Sequence, residues 1–262
     1  MIKNEIPLLQ SKGGAFAGKI INLLSSAFNM TTDKKFLLIR NYDLWAQLTD
    51  EEYDELNLVH HFIDAKKGDY VYFDSHHLNK LYFIKEGHIK IGFIDDKGNE
   101  IIKEIINKGE IFGQFSLEPN NLNGEFARAH KADVSLCAFN IEDFEKLLKQ
   151  KPSMAIKYSK QVGHKLRNAE FRLLNMLNND VRSRLLGFFY QLAKQSGYDG
   201  LAQSFNLDNF LTHDDIARLI GSARQTVTTF INQLEEEGLI KISRREIVIP
   251  DVKRLQKLVI VT

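Results

Sequence analysis

Hydrophobic and polar positions change period along this chain. From Asp69 to Gln114 the apolar residues fall in short β-rich runs, YVYF, KLYFIKE, HIKIGFI and EIIKEII, parted by the Gly-bearing polar turns KKGD, KEGH, DDKGN and NKGE. Val, Ile, Tyr and Phe favour the pleated strand and the turns favour chain reversal, so Gly68, Gly87, Gly98 and Gly109 mark the ends of successive strands in an all-β sandwich or barrel. The β pattern continues through the polar loop Glu118 to Gly124 and a last strand over Ala132 to Phe139. It turns helical at Ile141 and stays so to about Gln195, with only Pro152 interrupting.

Within that helical span Val162, Leu166, Ala169, Leu173 and Met176 are spaced 4, 3, 4 and 3, a heptad seam over two repeats. The opposite face is polar (Lys160, His164, Lys165, Asn168, Arg172), which favours self-association through the seam over packing on the chain's own β-barrel. Two earlier helices are expected. Phe16, Ile20, Leu23, Leu24, Ala27 and Phe28 form one face of a helix that docks on its own protein. The stretch Ala15 to Met30 is too short and too broken by Gly18, Lys19, Asn22, Ser25 and Ser26 for a membrane span, and it has no signal-peptide pattern. A second short helix covers Thr49 to His61, with Thr49 as N-cap and Glu52 closing a capping box.

The most informative segment is LTHDDIARLIGSARQTVTTFINQLEEEGLIKI, residues 211–242. Thr212 is a natural N-cap, and Asp214 and Asp215 suit the positive end of the helix dipole. Ile216, Leu219 and Ile220 face inward and the helix stops at Gly221; a second helix begins near Ser222, with Val227, Phe230, Ile231 and Leu234 inward. Small Ala217 lets two helices approach, Gly221 four residues later permits the turn, and Val227 six further on locks the second helix, the spacing of a helix-turn-helix. Ser222, Arg224, Gln225, Thr228, Thr229 and Asn232 stay outward, and such side chains suit the major groove of DNA. Two β-rich runs around a basic turn, LIKISRREIVIPDV, follow as a hairpin; the stretch between the long helix and Leu211 reads as linker.

Composition narrows the class. With 262 residues, 44% hydrophobic, 16 Gly and 4 Pro, the chain has material for one large domain or two ordinary ones. The lone Cys137 closes no intrachain disulfide and builds neither an iron-sulfur cluster nor a Cys-rich zinc site, so a reducing, cytoplasmic compartment fits. His76 and His77 read as an exposed polar turn rather than as ligands, and no metal site is expected. A net charge of +1 supplies no global field toward nucleic acid or membrane, so any such contact is local. From Thr212 to Glu237 there are two cations, Arg218 and Arg224, against five carboxylates; in the tail Lys241, Arg244, Arg245, Lys253, Arg254 and Lys257 oppose Glu246 and Asp251, a local excess of +4. Phosphate contacts therefore belong beside the recognition helix, on the hairpin. No Walker loop, G-x-S-x-G, H-E-x-x-H or dinucleotide glycine fingerprint is present, and an enzyme is not expected.

Taken together, the β-roll glycines (KKGD, KEGHIKIG, NKGEIFGQ), the long helix and LTHDDIARLIGSARQTVTTFINQLEEEGLI resemble the cyclic-AMP receptor protein and Fnr (Crp/Fnr) family of bacterial transcription regulators over about residues 40–250. The resemblance implies an α+β fold: an N-terminal extension (1–35), a double-stranded β-helix (jelly-roll, cyclic-nucleotide-binding-like) domain (36–150), a dimerisation helix (151–180) and a C-terminal winged helix-turn-helix (181–262). It implies a homodimer on a near-palindromic operator in double-stranded DNA, with RNA polymerase as a further partner and no membrane. DNA contacts are expected at Thr212, His213, Ser222, Arg224, Gln225, Thr226, Thr228, Thr229, Arg244 and Arg245. Arg224 and Gln225 stand where the family carries a base-reading Arg and Glu; Gln for Glu, and Thr229 for a frequent Arg, depart from the pattern.

The effector pocket implied by the resemblance comprises Gly113, Gln114, Phe115, Ser116, Glu125, Phe126 and Arg128. The family's ribose-binding carboxylate is replaced by Gln114, and no Arg or Lys occurs from Phe115 through Phe126, so the phosphate-neutralising cation is missing. Cyclic AMP is therefore disfavoured, no cofactor is expected, and the effector is open. The rival readings are a cyclic-nucleotide-responsive regulator and a regulatory interaction module that does not bind DNA.

Overall fold

A computed structural model describes residues 49, 51, 60–73, 79–113 and 124–259. The expected helix over Ala15–Met30, most of that over Thr49–His61, His76, His77, and Gln114, Phe115 and Ser116 lie outside the described residues; His60 and His61 themselves begin a strand. The described residues form two compact units, divided within one helix at Tyr158 and Ser159, with Glu100–Glu104 grouped with the second. No described helix is long and apolar enough to cross a membrane.

The first unit is built on an antiparallel sheet of β1 (His60–Ala65), β2 (Tyr70–Phe73), β3 (Lys80–Ile94), β4 (Glu100–Asn107), β5 (Ile111–Gly113) and β6 (Glu125–Asn140), in the order β1-β6-β3-β4, with β2 on β6 and β5 on β3. Two expectations need correction. KLYFIKE and HIKIGFI are one 15-residue strand, and the last strand starts at Glu125, not Ala132. Gly87 bends rather than ends the strand. Its φ is +85°, and a Cβ there would lie 2.6 Å from the Asp133 carbonyl and 2.9 Å from Val134 Cγ2. The β3–β6 register slips on both sides of Glu86, whose partner is Ser135, and Lys131, in the stretch of β6 that the slip passes over, has φ 60°. Both long strands thus fold over at one place, as β-bulges permit. Alternate residues face a core of Tyr72, Tyr82, Ile84, Ile89, Ile91, Ile106, Phe112, Ala127, Ala129, Val134 and Leu136.

Helices follow: α1 (Ile141–Gln150), α2 (Pro152–Asn178) and α3 (Val181–Gln195). Pro152 opens α2 at the position where a missing N–H costs nothing. A second break, absent from the sequence reading, falls at Asn179–Asp180. Asp180 is extended (φ −70°, ψ 172°) and its carboxylate accepts from Ser183 N–H at 2.8 Å, which restarts the helix as α3 and holds that carboxyl below its ordinary range. Asn175 is buried beside Gly187; its amide donates to the Phe171 carbonyl and accepts from Asn179 Nδ2.

Beyond α3 the second unit contains β7 (Phe205–Asp208), α4 (His213–Leu219), α5 (Arg224–Glu236), β8 (Lys241–Ile242), β9 (Glu246–Ile249) and α6 (Val252–Leu258). The stretch read as linker contains β7, which pairs with β9 to make the hairpin a three-stranded sheet, β7-β9-β8. Helix α6, also unanticipated, buries Val252 and Leu255. Ala217, Val227, Ile231 and Leu234 are each no more than 1% exposed, as the packing argument requires, whereas Leu219 and Phe230 are only half-buried.

Candidate nucleic-acid interface and effector pocket

Helix α4 starts with a complete capping box. The Thr212 hydroxyl accepts from Asp215 N–H at 3.1 Å and donates to Asp215 Oδ2 at 2.6 Å, while Thr212 N–H donates to the same carboxylate oxygen at 2.9 Å. The hydroxyl is therefore engaged in the cap, and Asp215 is buried. Thr228 Oγ1 lies 2.9 Å from the Arg224 carbonyl, to which it donates, and 3.0 Å from His213 Nδ1. This pair ties the start of α4 to α5. Thr229 bonds back to the Gln225 carbonyl at 3.2 Å.

Arg224 and Gln225 are exposed in the first turn of α5, with Ser222 and Thr226 half-buried on either side. The acidity of this element is largely absorbed internally. Asp214 pairs with Arg218 at 2.8 Å, Glu237 with Arg182 at 2.6 Å, and Glu235 Oε1 accepts from Ile242 N–H at 2.8 Å. A run of carboxylates repels a polyanion; ion-pairing of Asp214 and Glu237 lessens that repulsion.

The hairpin tip carries Arg244 and Arg245, both exposed. Ser243 folds it, its Oγ accepting from Arg245 N–H at 3.2 Å and Glu246 N–H at 3.0 Å. Asn209, which sequence reasoning passed over, holds the tip to the start of α4. It donates from Nδ2 to the Ser243 carbonyl (2.6 Å) and from its backbone N–H to the Arg245 carbonyl (2.8 Å), and its Oδ1 accepts from Leu211 N–H (2.8 Å). The signal available was an Asn placed two residues before an apolar residue that precedes a helix cap, the setting of an Asx turn.

On α2, Leu166, Leu173 and Met176 are 60%, 57% and 45% exposed, with Leu177 at 71%. Ala169 is exposed and Val162 half-buried. This is a long apolar stripe left open to water by the single chain.

The pocket candidates divide. Gly113 (φ +100°) passes close to β3, where a Cβ would lie 2.5 Å from the Lys80 carbonyl and 3.1 Å from Tyr82 Cδ2. Glu125 shares a face of β6 with Ala127 and Ala129, which line the core, and it accepts from the Tyr72 hydroxyl at 2.7 Å. Phe126 and Arg128, one residue out of phase, lie on the reverse face. Side chains alternate along a strand, so neither shares the face of Glu125. There Arg128 covers the rings of Tyr70 and Phe126, each at 5.4 Å, and donates to the Tyr70 hydroxyl at 3.3 Å. The core beside Gly113 is filled by Tyr72, Tyr82 and Phe112, with centroids 4.8 to 6.2 Å apart, and burial pushes the Tyr82 phenol up.

Among the described residues no group of three His, Cys, Asp or Glu is placed to hold a metal ion.

Comparison with known proteins agrees with both units. Residues 62–151 match a cyclic nucleotide-binding domain and residues 183–258 a Crp-like helix-turn-helix domain. The global nitrogen regulator of Nostoc sp. (strain PCC 7120) is 27% identical over 180 residues, 68% of this chain and 80% of that protein. The cAMP-activated global transcriptional regulator CRP of Salmonella typhimurium is 25% identical over 170 residues, 64% and 80% respectively. A CooA mutant structure from Carboxydothermus hydrogenoformans superposes with a TM-score of 0.68 at 21% identity, covering 84% of this chain and 96% of that one. A β-roll of the cyclic nucleotide-binding type, joined through a long helix to a winged Crp-like helix-turn-helix, places this chain in the Crp/Fnr family of transcription regulators.

Proposed function

We propose that the protein is a sequence-specific regulator of transcription that binds a near-palindromic operator as a homodimer, reading bases with Arg224 and Gln225 and gripping phosphates with Arg244 and Arg245. The observation that carries this reading is the first turn of α5. It presents one exposed guanidinium and one exposed amide at a helix N-terminal end, where recognition helices meet base edges. His213, Ser222, Thr226, Thr228 and Thr229 border that turn and suit phosphate or positioning contacts; Thr212 acts through the helix cap. The open stripe Leu166, Ala169, Leu173, Met176 fits coverage by a second copy, which would set two recognition helices one DNA turn apart. RNA polymerase is the partner through which such a regulator acts on transcription.

Fluorescence anisotropy tests the DNA reading. An operator selected from random duplexes should bind about 10³-fold or more tighter than a scrambled duplex at physiological salt, with affinity falling steeply as salt rises. Equal affinity for both duplexes would refute it.

Cyclic AMP is disfavoured as an effector of the β-roll. Among the described residues, the polar group facing the core beside the aromatic stack is a carboxylate, Glu125, and Arg128 projects from the other face. Two missing charge-assisted hydrogen bonds, at about 1.5 to 3 kcal/mol each, weaken cyclic AMP binding by roughly two to four orders of magnitude. Calorimetric titration with cyclic AMP should give no saturable heat in the micromolar range, and cyclic AMP should leave operator affinity unchanged. Micromolar binding would return the cyclic-nucleotide-responsive reading.

A further inference from the structure

Helix α5 reads DNA only if its first turn is held at a fixed angle, yet its own N-terminus supplies little to hold it. The N-cap is Ala223, which has no side-chain cap hydrogen bond. The turn before it, Ile220–Gly221–Ser222, is closed internally by Ser222 N–H to the Ala217 carbonyl at 2.8 Å and by a long bond from Gly221 N–H to the Arg218 carbonyl at 3.4 Å. The carbonyls of Ile220 and Gly221 come just after the last residue of α4. The Ile220 carbonyl, at the C-cap, is an end-of-helix acceptor that an α-helix cannot satisfy itself and sits at the negative end of the α4 dipole.

One side chain from another helix meets both. Arg184, in the first turn of α3, donates from Nη1 to the Ile220 carbonyl at 2.9 Å and to the Gly221 carbonyl at 3.3 Å. Beside it the methyl of Met176, the last residue of the α2 seam, lies over Gly221; a Cβ added there would sit 2.7 Å from Met176 Cε and 3.6 Å from Arg184 Nη1. The turn that sets the α5 angle is thus gripped from outside the helix-turn-helix, by a cation of α3 and an apolar cap from the end of α2.

We propose that Arg184 is a positioning residue for DNA recognition: through the Ile220 and Gly221 carbonyls it sets the orientation of Arg224 and Gln225 without touching DNA. The proposal rests on the DNA-binding reading above. A charged donor bound to neutral carbonyls makes a strong hydrogen bond, and a shift of the turn by about 1 Å would carry the base-reading side chains out of bidentate register. Met176 joins the same turn to the seam, so the grip is referenced to the helix through which two copies would pair.

The test compares Arg184→Met, which keeps the apolar stem and removes the donors, with Arg184→Lys, which restores a charged donor without the fork. Both are made in the full chain and assayed below the onset of unfolding. For Arg184→Met the operator-to-scrambled affinity ratio should fall about tenfold, with scrambled-duplex affinity within about twofold of the parent and the dimer intact by light scattering. Hydrogen exchange should quicken at Ser222 to Thr226 and stay unchanged at Lys241 to Ile249. Arg184→Lys should recover part of that ratio. A purely structural role would lower the melting temperature and leave the ratio of the folded protein untouched; that result, or a lysine variant no better than methionine, overturns the proposal. If Arg184→Met does not fold, Arg184→Gln, with a single neutral donor, carries the same expectation, and parental values there overturn it equally. Failure of the parent chain to discriminate operator from scrambled DNA would instead strike the DNA-binding reading.

Discussion

The helix-turn-helix and the β-roll of this chain each have a buried core, but they were unequally visible in advance. In the helix-turn-helix, Ala217, Gly221 and Val227 do what their spacing demands, because the contacts that define the motif join residues at most ten apart. In the β-roll, the decisive contacts join residues far apart in sequence. Gly87 looked like the end of a strand and sits within one, where a Cβ would meet the Asp133 carbonyl; Arg128, three residues from Glu125, lies on the opposite face of β6. Local spacing specifies a helical motif nearly completely, whereas a sheet needs register, and a one-residue change of phase moves a side chain to the opposite face.

Perturbations can sharpen that contrast. The largest effect is expected from replacing Leu166 and Leu173 together with Glu. Charge cannot be buried cheaply in an apolar seam, so the variant should be monomeric by light scattering. Operator affinity should fall to the level of scrambled DNA, a loss of about 4 kcal/mol or more. A variant that stays dimeric would place the interface elsewhere.

Next, Arg224→Ala should leave assembly intact and remove base reading, at about 1 to 3 kcal/mol per half-site and twice that for a dimer. Gel-shift titration on operator and scrambled duplexes measures it; unchanged operator affinity would remove Arg224 from the reading surface.

A paired glycine experiment compares the two regions directly. Gly87 and Gly221 both have positive φ, +85° and +65°. A methyl at Gly87 meets a backbone carbonyl at 2.6 Å, while one at Gly221 meets the flexible end of Met176 at 2.7 Å. Left-handed backbone alone costs an alanine about 1 to 2 kcal/mol, and the rigid clash at Gly87 adds to it. Urea unfolding with hydrogen exchange should show Gly87→Ala as the more destabilising by about 1 kcal/mol or more, with its loss of protection in β3 and β6. Equal losses would mean that the bend at Gly87 relaxes as readily as the turn.

The smallest effects belong to the wing. Arg244→Ala and Arg245→Ala should weaken all duplexes alike and each flatten the salt dependence by about 0.9 for every phosphate no longer neutralised. Asn209→Ala, which frees the tip without removing a charge, should weaken binding less and leave the operator-to-scrambled ratio unchanged. A change in that ratio would make the wing a reader of sequence.

Much of this protein was legible in one dimension. The helix cap at Thr212, the turn at Gly221, most of the inward residues of α4 and α5 and the basic hairpin follow from the 3.6-residue helical period, capping chemistry and charge, all of which act over a few residues. Tertiary structure decided the rest. It joined two expected strands into one, made a strand of Phe205–Asp208 by pairing it with Glu246–Ile249, and put Arg128 and Glu125 on opposite faces. It also brought Asn209 to the wing 34 residues on, and Arg184 to the recognition turn 36 and 37 residues on. None of these has a local signature, because a hydrogen bond to a distant carbonyl or a choice of sheet face is specified only when the partner strand or helix is in place.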